Sequence, residues 1–414
     1  MPWAGHGAQW QTLLAAVIFI SSYAVFALGK LPGLRIDRPG MAMIGAVAMF
    51  AIGVLTPWTA IEDINFSTLV LLFAMMVIVA HLHQAGFFEW IAATVERRIT
   101  PPRLLPVLIF TSGILSAIFV NDIICICLAP LVLLLCRRLR LRPVPYLLAL
   151  ATASNIGSVA TLTGNPQNML IASYAGIAYR TYLARLAPVA LAGLLLDWAI
   201  LRWIYGPAPE LQCAGAAEAP APGAGARPDR AALRITGVVM GGVMAGFLIG
   251  FPPALVAAIG AAILLLSSRL DPRQVYADVD WGLLVFFAGL FLIVGGAEQA
   301  GLIARLMRFA GHWNLQRPAW FTLLTAGLSN LVNNVPAVML LKDLAAKFTQ
   351  PQTGWLLLAM ASTLAGNFTI TGSVANMIVI EQARGKAEIS LREYMRVGVP
   401  LTALTLLMGW LWLR

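Results

Sequence analysis

The sequence predicts an all-α polytopic membrane protein of two inverted repeats, each with five transmembrane helices and one re-entrant helical hairpin, and with broken helices at the midplane. Three observations lead there: the composition, a series of long apolar runs, and a duplication of polar and glycine residues between the halves. The 414 residues are 60% hydrophobic and 11% charged, with a mean hydropathy of +0.82. Soluble chains carry about a quarter charged residues and roughly half apolar ones, so so few charges could not cover a water-facing surface of this size. The net charge of +10 sits mainly in short connections, where it sets membrane orientation. There is no basic stripe interleaved with aromatics, and no nucleic-acid partner is expected.

Apolar runs of about 18 residues suffice to cross a hydrocarbon core of roughly 30 Å. In the first half they fall near 12–29, 41–57, 66–83, 146–172 and 187–205. The second half repeats them near 234–250, 254–268, 282–298, 355–380 and 397–413. The opening MPWAGHGAQW has no Lys or Arg before the first run and does not resemble a cleaved signal peptide. Between the halves, residues 206–230 are rich in Ala, Pro and Gly without periodicity, which reads as a flexible linker. The expected organisation is a first repeat over 1–205, a cytoplasmic linker over 206–233 and a second repeat over 234–414.

The halves match at polar positions that composition alone does not produce. Gln84-Ala85-Gly86 returns as Gln299-Ala300-Gly301, and Val120-Asn121 as Val332-Asn333. Ser154, Thr161, Thr163, Gly164, Asn168 and Met169 return as Ser362, Thr369, Thr371, Gly372, Asn376 and Met377.

Leu104–Cys136 and Ala319–Lys347 fit no single span, being too long for one helix and too short for two full crossings. Each is interrupted at its centre by polar residues, Asn121-Asp122 and Asn333-Asn334. Arginines flank the first at both ends, so it is expected to enter and return on the same side. Irregular backbone at that depth is tolerated where protein or a wet cavity covers it. With these two as hairpins and the N-terminus outside, 20 of the 28 Lys and Arg are cytoplasmic and 8 are not, as the positive-inside rule asks.

The breaks carry the chemistry. Asn121-Asp122, Asn333-Asn334 and Asn165 are residue types that cap helices, and Pro166 and Pro336 suit a first turn. Pro166 also forbids an unbroken helix through Thr163-Gly164-Asn165, whose counterpart is Thr371-Gly372-Ser373. Four restarted helices would turn free N–H groups and positive dipole ends toward one midplane pocket, suited to a small anion or hydroxylated solute. The expected solute-binding residues are Asn121, Asn155, Thr163, Gly164, Asn165, Asn333, Asn334, Thr371, Gly372 and Ser373. Carbonyls before each break, helped by hydroxyls, could hold Na⁺ near Asn121, Gly157, Asn333 and Ala365. Asp122, Ser154, Ser362 and Thr369 are the candidates for ion coupling. Asp122 stands out because its counterpart is the neutral Asn334, and an acid inside the bilayer is costly and functionally suspect.

Other polar residues read as structural. His81 and His83 lie near a span end, Asp343 neighbours Lys342 as a surface pair, and Asp197 and Glu381 are ambiguous. Cys125 and Cys127, two apart on a helix, point to different sides and form no thiolate site. Gly237, Gly241, Gly242, Gly246 and Gly250 make small-xxx-small steps, a face for close packing within the chain or between protomers. No metal signature, nucleophile elbow or phosphate loop is present, so no enzyme activity, metal or organic cofactor is expected.

SNIGSVATLTGNPQN (Ser154–Asn168), FVNDIICICLAPLV from Phe119 and NLVNNVPAV (Asn330–Val338) resemble the ion transporter superfamily, most closely its arsenite-permease and anion-permease branch. The divalent-anion/sodium symporters are more distant. The resemblance covers nearly the whole chain. It implies an alternating-access secondary transporter, in many members a homodimer, with Asn121, Asn333 and Asn334 at hairpin tips and Thr163–Asn165 and Thr371–Ser373 as unwound solute-facing segments. The sodium symporters of the superfamily carry Ser-Asn-Thr at both tips. Here the tips read Asn-Asp and Asn-Asn, which points away from sodium-coupled dicarboxylate uptake and toward a proton-linked or uncoupled path. The expected function is transport of a small inorganic oxyanion or weak acid, arsenite-like, across a bacterial-type inner membrane, coupled if at all to H⁺ or Na⁺. The alternatives are a sodium-coupled di- or tricarboxylate symporter and a Na⁺/H⁺ antiporter.

Overall fold

The computed structural model describes residues 4–29, 36–98, 100–206, 229–267, 270–311 and 315–414. The first half runs α1 (Ala4–Leu28), α2 (Arg38–Ala51), α3 (Pro57–Asp63), α4 (Phe66–Gln84), α5 (Phe87–Arg98), α6 (Pro101–Ile118), α7 (Asn121–Arg138), α8 (Pro143–Ser158), α9 (Pro166–Ala175) and α10 (Tyr179–Tyr205). The second runs α11 (Arg230–Ile249), α12 (Pro253–Ser267), α13 (Pro272–Ala277), α14 (Trp281–Gln299), α15 (Leu302–Gly311), α16 (Pro318–Val332), α17 (Asn334–Ala346), α18 (Pro351–Ala365), α19 (Val374–Ala383) and α20 (Leu391–Leu413), with a 3₁₀ turn at Ile370–Gly372. The two sets correspond one to one in order.

The local signals are conventional. Proline occupies the first turn of α3, α6, α8, α9, α13, α16 and α18, where its missing N–H has no intrahelical partner to lose. α4 and α14, each 19 residues, start from the matched caps Asn65 and Asp280, whose side chains accept from Thr68 N and Leu283 N at 2.9 Å.

Among the described residues, seven helices (residues 10–28 of α1, then α4, α6, α10, α11, α14 and α20) are long and apolar enough to cross a membrane. Their outward faces carry residues such as Trp203 and Val238, 85% and 76% exposed, apolar surface that a bilayer would cover. α8 and α18 sit at the centre. From Val144 to Ser158 and from Gly354 to Ala365 every residue is buried, the pattern of a helix that is apolar all round.

The halves interlock rather than standing side by side. α2 packs on α14 and α4 on α12, so the second helix of each half lies against the fourth of the other. α9 packs on α17 and α18, and α19 on α7 and α8. Bonds repeat the exchange: Gln84 Nε2 donates to Asp278 Oδ2 at 2.7 Å, and Gln299 Nε2 to Asp63 Oδ2 at 3.1 Å.

Several expectations need correction. The run 41–57 ends as a helix at Ala51, and Pro57 starts the short α3 instead. Residues 207–228 of the expected linker lie outside the described residues, and from Arg230 the chain is already in α11, capped by Asp229. Of the five glycines, only Gly246 meets another helix, at Val256; a Cβ at Gly237, Gly241, Gly242 or Gly250 would touch nothing within 4 Å. Lys342 pairs not with Asp343 but with Glu298, Nζ to Oε1 2.8 Å. The segment Leu104–Cys136 extends to Pro101–Arg138 and breaks at Phe119-Val120, with α6 and α7 packed on each other and on α8.

Candidate functional site

The four breaks converge on one cavity of about 280 Å³. It is lined by Asn121 and Asp122 from the start of α7, Pro166 and Gln167 from α9, Asn334 and Val335 from α17 with Asn333 just before it, and Val374 from α19 with Ser373 just before it. The beginnings of α2 (Asp37, Arg38, Pro39) and α14 (Asp280, Gly282, Leu283, Phe286) complete the wall. Six helices therefore begin at its edge, and each directs its first N–H groups toward that end.

The breaks differ in how they are made. Asn165 caps α9, accepting from Asn168 N at 3.0 Å, with Pro166 in the first turn. Asn333 holds a left-handed backbone (φ 79°), and its side chain accepts from Asn334 N at 2.6 Å. At the first tip the cap is Val120, with no side-chain bond, so Asn121 and Asp122 are the first helical residues rather than caps. The Asn121 N–H donates instead to Gly164 O at 3.0 Å, tying the hairpin tip to the broken helix. That approach requires glycine at 164, where a Cβ would collide with the Ser158 backbone.

Asn155 and Thr363, matched positions in α8 and α18, organise the site. Asn155 Oδ1 accepts from Asn121 Nδ2 (3.1 Å) and Ser373 Oγ (2.9 Å), while its Nδ2 donates to Asn367 Oδ1 (2.8 Å) and Asn376 Oδ1 (3.0 Å). Thr363 Oγ1 accepts from Asn165 Nδ2 (3.1 Å) and Gln167 Nε2 (3.2 Å) and lies 3.5 Å from Asn168 Oδ1. Each central helix thus braces the restarted helix of the other half. The loose carbonyls are closed the same way in both halves: Asn168 Nδ2 donates to Ser158 O and Thr161 O, and Asn376 Nδ2 to Gly366 O and Thr369 O, at 2.7–3.1 Å.

Of the expected residues, Asn121, Asp122, Asn333, Asn334 and Ser373 line the cavity, and Asn155, Gly164 and Asn165 support it from behind. Gly372 stands against Asn330 Oδ1 and Gly366 O. Thr163 turns away to Tyr179 OH (3.3 Å), and Thr371 to Thr369 (3.4 Å). Ser154 and Ser362 donate to their own helices, at Ala151 O and Ala359 O. Ala365 O, named for Na⁺, accepts from Asn330 Nδ2 at 2.8 Å, and Gly157 is pressed on the Gly113 backbone. The residues missed were Asp37, Arg38, Gln167 and Asp280. Asp37 before Arg-Pro-Gly is a legible cap, but only tertiary packing brings it to the tips.

Two features give the cavity its chemistry. Asn121 is 4% exposed, yet its Oδ1 accepts no hydrogen bond from the described residues, leaving an acceptor for a donor in the cavity. Asn334 makes good contacts with its nitrogen toward Gly372 O (3.3 Å) and Ser362 O (3.1 Å) and its oxygen toward Gln167 Nε2 (3.1 Å). The second tip is therefore satisfied internally, while the first offers an open acceptor beside a carboxyl group.

A polar cavity enclosed by broken helices, inside a shell of lipid-facing apolar helices, defines a multi-pass membrane transporter. The chain belongs to the citrate transporter family, whose model matches residues 23–365. It is 32% identical to an uncharacterized transporter of Mycobacterium tuberculosis over 97% of this chain and 98% of that one. It is 28% identical to the silicon efflux transporter LSI3 of Oryza sativa subsp. japonica, over 96% of this chain and 97% of that protein. In fold it is similar to the Alcanivorax borkumensis YdaH transporter, with a TM-score of 0.55 and 16% identity, covering 98% of this chain and 96% of that one.

Proposed function

We propose that this transporter moves a small inorganic weak acid of the arsenite type, in its protonated, hydroxylated form, by alternating access coupled to protons at Asp122. The observation that carries the reading is the open Asn121 acceptor beside Asp122 in the cavity of the breaks. An acceptor in a buried wall selects a solute that donates; a carboxylate group has no O–H to give, and fully ionised citrate keeps a single hydroxyl where a hydroxide of arsenic or silicon carries O–H on every side. Asp37, Asp122 and Asp280 against the one guanidinium of Arg38 also make the wall poor company for a tricarboxylate anion, whereas a neutral hydroxide of arsenic or silicon meets no repulsion. The silicon efflux activity named for the rice relative has the same solute chemistry. Asn330, Asn168 and Asn376 already donate to carbonyls at the breaks, which favours H⁺ over Na⁺ as the coupling ion.

With the N-terminus outside, as the charge count favours, the starts of α2 and α14 and the cavity between them face the cytoplasm of a bacterial plasma membrane, and the two halves are inverted copies. Proteoliposomes test the function. Arsenite or silicic acid should move down an imposed pH gradient and be indifferent to Na⁺. Sodium-driven citrate uptake, without flux of either weak acid, would replace this reading with the carboxylate symporter.

A further inference from the structure

A second cavity, of about 120 Å³, lies on the other side of the first hairpin tip. It shares Asp122, Asp280, Leu283 and Val374 with the solute cavity, so Asp122 borders both. Its wall is largely apolar (Met76, Val79, Ala80, Ile123), and its volume holds a short file of waters at about 30 Å³ each. His83 and Asp278 also line it, with side chains 41% and 28% exposed and His83 Nδ1 2.9 Å from Asp278 Oδ2. A carboxylate has no proton to donate, so Nδ1–H is the donor and Nε2 is left to exchange protons.

We propose that this second cavity is a proton route to Asp122, loaded at the His83–Asp278 pair and distinct from the opening used by solute. A proton delivered by hydronium is held by the pair, crosses the file of water and binds an Asp122 oxygen; it leaves by the reverse steps. The groups facing Asp122 are Asp37, Arg38 and Asp280 across the solute cavity and His83, Asp278 and Cys127 across the second; Glu89, on α5, acts on Cys127. Among the described residues, the other half differs at both ends of this route. At the position matching His83 stands Glu298, bound to Lys342 at 2.8 Å, and Asn334 replaces Asp122. One carrier thus separates the path of its proton from that of its solute, so that an occupied solute cavity does not bar protonation.

The proposal rests on Asp122 as the coupling group, and two measurements separate the failures. First, Cys127, which lines the second cavity, should react with a membrane-impermeant thiosulfonate in the full-length protein, the label being assigned by its loss in Cys127→Ser. Ile126→Trp, at the cavity wall, should slow that reaction several-fold. A Cys127 that stays unreactive even at alkaline pH, where thiolate forms, means a dry cavity and overturns the route whatever the solute. Second, in arsenite-loaded vesicles His83→Asn should cut pH-driven flux about tenfold and shift its pH profile, while arsenite–arsenite exchange, which needs no net proton movement, stays within twofold. Unchanged pH-driven flux in His83→Asn, with flux lost in Asp122→Asn, overturns the route and leaves the function standing. Intact coupling in Asp122→Asn overturns both.

Discussion

The two hairpin tips are built on one plan and finished differently. Both start a helix at the cavity, and both lie beside a central helix that braces the opposite half. At the second tip a strained Asn333 caps the helix and Asn334 is enclosed by two carbonyls and Gln167. At the first, Val120 offers no side-chain cap, Asn121 keeps an open acceptor and Asp122 faces two cavities. On the proposed function, the frame common to both tips would hold the solute, and the departures from symmetry at the first tip would serve coupling.

The substitutions that break this comparison can be ranked. Asp122→Asn, which makes the two tips alike in charge, should have the largest effect: pH-driven flux falls by about a hundredfold or more (about 2.7 kcal/mol or more in barrier terms). Solute exchange should continue at a reduced rate, as vesicle flux with and without a pH gradient would report. Gly157→Ala comes next. A Cβ there lands on the Gly113 backbone, so α6 must shift from α8, and overpacking of this kind costs about 1–3 kcal/mol, read as a lower Tm. Asn334→Asp places an oxygen against the Gly372 and Ser362 carbonyls unless it is protonated, with a penalty of about 1–3 kcal/mol. Because only the protonated form fits, its Tm should recover as pH falls from 8 to 5 (approximate limits for carboxyl titration) by more than that of the parent protein, whose own buried acids are shared by both. The smallest effect is expected for Ala365→Gly, the match of Gly157 in the other half, at about 0.5–1 kcal/mol. A fall in Tm for Ala365→Gly as large as that for Gly157→Ala would remove this ranking of the two positions.

Much of this was legible in the sequence because the signals are local or periodic. Pro166 and Asn165 mark their helix start without tertiary information, and the repeat of Gln84 in Gln299 fixes the correspondence of halves. The short helices α3, α5, α13 and α15 were missed, since they are too brief or too polar for a span rule. Asn121 looks like a cap but is not one, because its backbone N–H has a better acceptor in Gly164 O, more than forty residues on. The cavity wall was half legible: breaks can be read from residues, whereas the arrival of Asp37 and Asp280 from α2 and α14 depends on how the halves interlock. Thr163, Thr371, Ser154 and Ser362 lie in or near the breaks, but side-chain direction decides whether such hydroxyls face solute.

The Asn155 amide has a mechanical consequence. All four of its hydrogen bonds are spent, one on the first hairpin and three on residues around the opposite half's break. Pulling the first tip away by itself would strand buried amides at about 1–3 kcal/mol each. If the proposed alternation of access operates, the cheaper way to turn the cavity toward the far side would be to carry the whole knot of tips and restarted helices as a single piston, sliding past α2, α4, α12 and α14 while its inner bonds stay closed.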